Sequence, residues 1–459
     1  LKDSDIGTSV QAYDADLTTL ASNGVGTSAN QLVQLDGSAK LPAVDASQLT
    51  NLPVSSSGTA DFVASGTLPD GTTVVLNADG TISASREYTT ISQAIPTGTE
   101  TRVAAGGNSV RIYSVAFDPS TEGRFVVGFA FYSSFYPVLV VGQVSGGSIT
   151  FGTPLVYNST DSAKPYIAFD STGTFVVPSH SGNVRSGTIS GTTITLNAEV
   201  SLPTTSSYVK AVQFDPNNSG KFVVVYTVYN AGTRELSAIV GTLSGSSISF
   251  GTANLISSHS STYVDYIALS FDPSTPNKFA VIGDNVNRLD LWIGTISGTT
   301  ITVGSVQLIS NASTTWSTIA YDPNVAGRLI ISYAQPSTGN GVIQVGTVTG
   351  TSVSLGSLVA FTASYSANVS YITVAFHKDV SDKCILTFRS PSYSYYLVAR
   401  VPEISGTSIT SLGGTYYINT ANTSYPVIAI DPSASGRFLC AYYDSAYTTS
   451  VSARLGQMA

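Results

Sequence analysis

The chain has 459 residues, enough for one large repeat domain and an extension, and only 10% of them are charged. Its 20 Lys and Arg and 28 Asp and Glu give a formal net charge of -8, without a concentrated basic stripe. A nucleic-acid partner is therefore not expected, because phosphate binding needs such a stripe. No apolar run reaches the ~18 residues that a membrane span requires, and no signal peptide is visible.

Residues 1–56 are predicted to form a shaft or attachment segment that starts with a short helix. Apolar residues recur at alternating spacings of four and three, as in the seam of a coiled coil. Two heptads make a marginal helix in water, so association of several chains would stabilise it. The expected contacts between chains are Ile6, Val10, Tyr13, Leu17 and Leu20. Because the chain starts at Leu1 and its one Met is Met458, we expect natural residues upstream of Leu1.

Residues 57–85 are predicted to be a small β linker. The run GTLPDGTTVVLNADGTIS places Asp-Gly turns between short strands. Such a segment is too small to bury a core by itself, which again favours several intertwined chains.

The N-terminal sequence resembles that of a known family. The run DIGTSVQAYDADLTTL, followed by NQLVQLDGSAKLPAVDASQLTNL, resembles the shaft or attachment segments of tailed-bacteriophage tail fibres. The run FVASGTLPDGTTVVLNADGTIS is similar to a linker common in marine phage virion proteins. The resemblance implies a homotrimeric fibre on the virion, outside the cell. Its N-terminal part would dock on a tail or baseplate protein, and its C-terminal domain would meet the host surface.

Residues 86–459 repeat one short motif seven times. An aliphatic, a small and an aromatic residue precede Asp-Pro, a turn, a basic residue and a hydrophobic run, as in VQFDPNNSGKFVV. A period of roughly 50 residues built from short strands is typical of a propeller. We therefore predict an all-β protein with a seven-bladed propeller of four-stranded blades, preceded by the short helix and small β segments of a trimeric shaft. The marker residues of the copies are Asp118, Asp170, Asp215, Asp272, Asp322, His377 and Asp431.

A second turn, of the type Ser-Gly-x-x, follows the third strand of each repeat except the last. The last repeat ends as VSARLGQMA, without this turn or a fourth strand. We predict that a segment near Tyr88–Ile95 supplies the missing strand and closes the ring, which would remove exposed sheet edges.

The alternation of strands assigns the loops to two faces. The near-constant Asp-Pro and Ser-Gly turns share one face, called here the turn face, and the variable loops share the opposite loop face. The variable loops are rich in Tyr, Trp, Ser and Asn, which suit the CH faces and hydroxyls of sugars and also suit protein partners. The candidate ligand-binding residues are Tyr132, Phe135, Tyr136, Tyr263, Trp316, Tyr365, Tyr393, Tyr395, Tyr396, Tyr425, Tyr443 and Tyr447.

These features favour a receptor-binding tail fibre that recognises a host glycan or outer-membrane protein. A fibre-borne glycosidase or depolymerase and a purely structural virion spacer are the alternatives. No catalytic residue, cofactor or metal site is predicted, because the motif Asp residues are expected to cap turns and the three His lack zinc-ligand spacing. Cys384 and Cys440 are expected to be buried free thiols.

Overall fold

The computed structural model describes residues 74–76, 82–84, 100–104, 109–159, 164–178, 182–204, 207–230, 232–260, 264–285, 288–362, 369–447 and 450–458. The chain divides into two compact units, Leu1–Ala84 and Ser85–Ala459. In the first unit, β1 (Val74–Leu76) pairs antiparallel with β2 (Ile82–Ala84). The predicted helix and its contact residues Ile6, Val10, Tyr13, Leu17 and Leu20 lie outside the described residues.

The second unit is a seven-bladed β-propeller, as predicted, and its first three blades share one plan. Each is an antiparallel meander in which a fourth strand and a short further strand both pair with the third strand. Blade 1 contains β4 (Val110–Phe117), β5 (Arg124–Phe131), β6 (Pro137–Ser145), β7 (Ser148–Phe151) and β8 (Leu155–Val156). Blade 2 contains β9 (Ala168–Phe169), β10 (Phe175–Pro178), β11 (Asn183–Ser190), β12 (Thr193–Leu196) and β13 (Val200–Ser201). Blade 3 contains β14 (Ser207–Phe214), β15 (Lys221–Asn230), β16 (Thr233–Ser244), β17 (Ser247–Phe250) and β18 (Asn254–Ser260).

Blades 4 and 5 repeat this plan, while blade 6 departs from it. Blade 4 contains β19 (Val264–Phe271), β20 (Lys278–Asn285), β21 (Arg288–Ser297), β22 (Thr300–Val303) and β23 (Gln307–Ser310). Blade 5 contains β24 (Thr315–Tyr321), β25 (Arg328–Gln335), β26 (Asn340–Thr349), β27 (Ser352–Leu355) and β28 (Val359–Ala360). Blade 6 contains β29 (Ser370–Phe376), β30 (Cys384–Ser390), β31 (Tyr396–Arg400), a separate hairpin of β32 (Glu403–Ser405) and β33 (Ser408–Ser411), and β34 (Tyr416–Asn419). Pro402 separates β31 from β32, because proline has no N–H to donate to the ladder.

Blade 7 is completed by a strand from the N-terminal side of the propeller. It contains β35 (Thr423–Ile430), β36 (Arg437–Asp444), β37 (Ser450–Gln457) and β3 (Thr101–Ala104). β3 pairs antiparallel with β37, and Thr101 lies opposite Ala453. Closure by an N-terminal strand is therefore confirmed for Thr101–Ala104, while the predicted strand near Tyr88–Ile95 remains a prediction.

The position of β3 follows the plan of the other blades. In blades 1–5 the third strand has two partners, and the second of these pairs with its loop-face end. β3 fills this second place, so it starts later in the sequence than a continuous fourth strand would. Glu100 helps to fix the register, since its carboxylate accepts hydrogen bonds from Arg102 at 3.1 and 3.2 Å and lies 3.7 Å from Arg454 on β37. Residues 88–95 lie outside the described residues.

The ring is held together by hydrophobic clusters between consecutive blades. Among the described residues there are seven such clusters, and the one between blades 7 and 1 joins Leu439 and Val451 to Val127 and Val140. The first strand of each blade contacts the first strand of the next, and β35 contacts β4. Central strands such as β5 are therefore buried on both faces, which explains their continuous apolar sequences.

A Phe–Gly pair recurs inside the blades. In blade 3 the ring of Phe222 on β15 covers Gly241 on β16, and a Cβ on this glycine would lie 2.1 Å from the ring. The same pairing joins Phe125 to Gly142 and Phe279 to Gly294. The motif therefore needs glycine on the third strand because the second strand brings a large ring against its backbone.

The Asp-Pro turns are capped as predicted. In blade 1, Asp118 accepts a 2.8 Å hydrogen bond from the Ser120 N–H and forms an ion pair with Arg124 at 2.6 Å. The equivalent pair Asp431–Arg437 in blade 7 is fully buried. In blade 6, His377 replaces the Asp, and its Nδ1 accepts hydrogen bonds from two N–H groups of its own turn, at 3.0 and 3.1 Å.

Candidate ligand-binding site

Four aromatic residues occupy one equivalent position in blades 4 to 7. Tyr266, Trp316, Tyr371 and Tyr425 each lie six residues before the marker residue of their repeat. Each falls in a β-bulge of the first strand, where the pairing with the second strand shifts register. We call these four residues the aromatic arc.

The arc residues have a left-handed backbone. Their φ angles are 50° for Tyr266, 58° for Trp316, 54° for Tyr371 and 54° for Tyr425. This conformation costs an L-residue roughly 1–2 kcal/mol, and bulky residues seldom adopt it. The same strained backbone recurs at the equivalent position of four blades, and the residue there is aromatic each time. This recurrence indicates a functional requirement.

The arc is a continuous row of contacting rings across four blades. The ring centroids of Tyr266 and Trp316 are 4.6 Å apart, those of Trp316 and Tyr371 are 4.1 Å apart, and those of Tyr371 and Tyr425 are 5.0 Å apart. Neighbouring rings are inclined by 48° to 64°. The result is a curved, faceted wall.

Hydrogen bonds between blades support the bulges. The Ser317 hydroxyl on blade 5 donates a 2.6 Å hydrogen bond to the Tyr266 carbonyl on blade 4. On the other side of the ring, the Ser114 hydroxyl donates to the Pro165 carbonyl at 2.5 Å and accepts from the Ile167 N–H at 3.1 Å. The first bond satisfies a carbonyl in the bulge of blade 4, and the other two satisfy backbone groups that precede β9 in blade 2.

The arc forms one side of a cavity of about 370 Å³ at the loop-face end of the central axis. We call this cavity the central mouth. The opposite side comes from blades 1 to 3 and carries Arg111, Lys164 and Lys210, together with Tyr113 and Tyr166. The described residues that line the mouth include three cationic side chains and no Asp or Glu. The volume lies within the range of ~300–1,000 Å³ that is usual for small-molecule sites.

Two arginines connect the arc to aromatic residues in the loops. The Arg111 guanidinium lies 5.7 Å from the ring centroid of Tyr425 and 4.4 and 5.1 Å from those of Tyr132 and Phe135. The Arg389 guanidinium lies 5.8 Å from the centroid of Tyr371, in the arc, and 4.3 Å from that of Tyr395. Such cation–π contacts hold the charged groups beside the mouth.

The phenols of Tyr425 and Tyr113 remain protonated near neutral pH. Burial raises the pKa of Tyr425 to about 12, more than the neighbouring Arg111 lowers it. Burial also raises the pKa of Tyr113, again against the effect of Arg111. Both hydroxyls can therefore donate hydrogen bonds to a ligand.

The structure brings only some of the predicted residues to the mouth. Trp316 and Tyr425 belong to the arc, and Tyr132 and Phe135 adjoin it through Arg111. Tyr395 adjoins it through Arg389.

The other predicted residues lie elsewhere. Tyr393 and Tyr396 contact Tyr417, at 5.3 and 6.0 Å between centroids, and form a separate exposed patch. The guanidinium of Arg102 lies over the ring of Tyr447, 3.2 Å from its centroid. Tyr443 packs against the hydrophobic cluster between blades 7 and 1. Tyr136 is half-buried in the β5–β6 loop, and Tyr263 and Tyr365 lie outside the described residues.

Several residues of the mouth were missed from the sequence. The signal for Tyr266 and Tyr371 was available, since an aromatic residue stands at the same offset from the marker in four successive repeats. No such signal exists for Arg111, Lys164 and Lys210, which lie seven, six and five residues before their markers. The three cations lie at the mouth although their positions within the repeat differ.

Other features of the described residues offer no comparable site. A second cavity of about 580 Å³ lies at the turn face and is lined largely by the Asp-Pro turns of blades 1 to 3 and 7. Among the described residues, no three His, Cys, Asp or Glu side chains are grouped to hold a metal ion. Cys384 and Cys440 are free and buried, as predicted. The described chain also includes no helix with the length and hydropathy that crossing a bilayer requires.

The fold and the mouth define a seven-bladed β-propeller with an aromatic and cationic axial site. No protein-family model matches the sequence, and no curated protein matches it significantly. The solved β-propeller domain of Swd1 (Cps50) from Myceliophteria thermophila is similar with a TM-score of 0.48 and 10% identity, over 78% of this chain and 98% of that domain. The proposals below therefore rest on the residues of this chain.

Proposed function

We propose that the propeller is the receptor-binding head of a tailed-phage fibre and recognises a host surface glycan or outer-membrane protein through its loop face. The observation that carries the proposal is the aromatic arc. Four rings are held in a costly backbone conformation at the axial end of the loop face, where a partner has access.

The chemistry of the arc suits recognition by stacking. Aromatic faces contact the CH groups of sugars or the side chains of a protein, and the phenol hydroxyls add hydrogen bonds. The rings support one another through direct contacts, so little side-chain freedom is lost when a ligand binds. A rigid site of this kind favours binding over passive spacing between virion proteins.

The N-terminal resemblance supplies the fibre context. Residues 1–56 would join three chains and dock on a tail or baseplate protein, with Ile6, Val10, Tyr13, Leu17 and Leu20 in the seam. Three linked heads would raise the avidity of a weak individual site, because a second binding event becomes intramolecular. The fibre would then lie on the outside of the virion, with its heads facing the host.

A cell-binding experiment tests the proposal. The labelled full chain is incubated with a panel of marine bacteria and cyanobacteria, and bound protein is measured by flow cytometry. We expect binding to at least one strain and a loss of more than about tenfold in apparent affinity for Trp316→Ala. Val380→Ala is the control, since Val380 is an exposed apolar residue in the turn of blade 6 that contains His377, on the opposite turn face.

Two outcomes would contradict the proposal. If Trp316→Ala binds cells as well as the unchanged protein does, the arc does not take part in recognition. If the full chain has a monomeric mass in solution, it does not form a trimeric fibre. Release of new reducing ends from host polysaccharide would instead favour the depolymerase alternative.

A further inference from the structure

Building on the receptor-binding role above, we propose that the central mouth binds a sugar unit that carries a carboxylate or phosphate group. The sugar ring lies against the aromatic arc, and its acidic group faces Arg111, Lys164 and Lys210. The inference names the ligand class of the site and rests on charge, ring geometry and position.

The charge of the mouth contrasts with that of the chain. The protein has a formal net charge of -8 and only 20 Lys and Arg among 459 residues. Three of these cations, from three different blades, line one cavity of about 370 Å³ whose described lining contains no carboxylate. An acidic ligand meets complementary charge here, and a cationic ligand meets like charge.

The arrangement has two sides with different chemistry. Blades 4 to 7 supply the aromatic wall, and blades 1 to 3 supply the cations. A ligand that spans the mouth therefore needs an apolar face on one side and a negative group on the other. A sugar acid has both within one ring, and the planar guanidinium of Arg111 suits two-point binding to its carboxylate or phosphate.

The ring geometry argues against a nucleotide. A flat base stacks best on an open, parallel aromatic face, as in single-strand binding proteins. In the arc, adjacent rings are inclined by 48° to 64° and their centroids are only 4.1 to 5.0 Å apart, so they partly cover each other's faces. A puckered sugar fits such a faceted wall better than a planar base does.

The ring geometry also argues against a quaternary ammonium ligand. Aromatic cages for such ligands leave their ring faces free for the cation. Here Arg111 already occupies the region beside Tyr132, Phe135 and Tyr425, and Arg389 lies beside Tyr371. A second cation would be repelled from the same faces.

Intrinsic fluorescence gives a direct readout of binding. The chain has two tryptophans, Trp292 and Trp316, and Trp292 is buried between blades 3 and 4. A ligand in the mouth therefore changes mainly the emission of Trp316. The probes are three matched pairs: sialyllactose and lactose, trigalacturonate and its methyl ester, and mannose 6-phosphate and mannose.

We expect at least one acidic probe to bind with a Kd at least about tenfold lower than its neutral partner. The difference should shrink when the salt concentration is raised from about 50 mM to about 500 mM, because salt screens charge interactions. Arg111→Gln, and the double variant Lys164→Gln and Lys210→Gln, should reduce the ratio toward one. Lys278→Gln, on the turn face, should leave it unchanged.

The inference is overturned if none of the acidic probes binds or if neutral partners bind equally well. It is also overturned if adenosine, which has the flat base but no acidic group, or choline binds more tightly than every acidic sugar. Thermal unfolding of each variant shows whether it is folded. Trp316→Phe is a second, conservative change that should retain the acid preference, measured by isothermal titration calorimetry because the variant lacks the reporting indole.

The two proposals can fail separately. If Trp316→Ala abolishes cell binding while no acidic probe is preferred, the receptor-binding role survives and the ligand class is wrong. If an acidic probe binds in the mouth but Trp316→Ala does not change cell binding, the ligand class survives and the receptor site lies elsewhere.

Discussion

The rings of Trp316 and Tyr371 lie 4.1 Å apart between centroids although the two residues belong to different blades. Both have a left-handed backbone, at φ 58° and 54°. Each bulge therefore directs its side chain toward its neighbour and into the mouth. The contact connects the strain of the backbone to the shape of the site, and this connection can be measured.

Glycine at position 316 should be more stabilising than alanine. Elsewhere in a strand, glycine usually destabilises by roughly 0.5–1 kcal/mol relative to alanine. At a left-handed position the order reverses, because alanine pays roughly 1–2 kcal/mol and glycine does not. Urea unfolding of Trp316→Gly and Trp316→Ala, which both lose the same ring, should show the glycine variant to be more stable by about 1 kcal/mol.

If the alanine variant is instead more stable in urea than the glycine variant, the left-handed backbone of Trp316 does not destabilise the protein. Thr318, on the same strand beyond the bulge, gives the control position. There, glycine should be less stable than alanine.

Gly241→Ala should destabilise the propeller strongly. Its new Cβ would lie 2.1 Å from the ring of Phe222, and the ring is fully buried between blades 2 and 3. Overpacking of this kind costs typically 1–3 kcal/mol. The loss should be partly restored in the double variant Gly241→Ala and Phe222→Leu, measured by thermal unfolding.

Gly147→Ala is the matched control, because a Cβ there meets no atom within 4 Å. If both alanine variants unfold at the temperature of the unchanged protein, the Phe–Gly contact does not constrain the blade.

Arg437→Met should cost far more stability than Arg185→Met. The Arg437–Asp431 pair is fully buried, so removal of the guanidinium leaves an unpaired buried carboxylate at a cost of roughly 3–5 kcal/mol. The Arg185–Glu199 pair is about one-third exposed on each side and should contribute ~0–1 kcal/mol. Urea denaturation of the two variants measures the difference, and similar losses would contradict the role given to burial.

His377 should make the protein less stable in mild acid. Burial holds the pKa of His377 below its usual range, and the charges of Lys383 and Lys378 lower it further. The carboxylate of Asp379 acts in the opposite direction but does not outweigh them. The folded state therefore binds the proton less readily than the unfolded state, and stability falls as the pH drops below about 6.5. Protonation would also remove the Nδ1 acceptor from the two N–H groups of the turn.

His377→Asp restores the residue found in the other repeats and should flatten this part of the pH profile. The measurement is the midpoint of thermal unfolding between about pH 7.5 and pH 5. Parallel curves for the two proteins would show that the acid sensitivity arises elsewhere.

Much of the fold was readable because its information is local. An Asp that caps its own turn and a strand buried on both faces leave signals within a few residues, as Asp118 and β5 do. The pairing of β3 could not be read from the sequence, because Thr101 and Ala453 pair across almost the whole propeller sequence and no local pattern sets that register.

The site was less predictable than the fold. A strand pattern assigns alternate residues to opposite faces, and a bulge of the kind at Tyr266 breaks this rule by one position. Among the aromatic residues that the sequence singled out in the loops, only the inner ones lie at or beside the mouth. The cationic side combines Arg111 on β4 and Lys210 on β14 with Lys164, which precedes β9, and only the assembled ring brings the three together.

The pairing of β3 with β37 also sets an order of events during synthesis. Thr101–Ala104 leave the ribosome early and must wait, unpaired, until Ser450–Gln457 have been made. Until then, the first and last blades have no neighbour on one side, and their apolar surfaces stay open to other nascent chains. Efficient production of this head therefore depends on protection of a late-forming seam, and folding should be slow for a chain of this size.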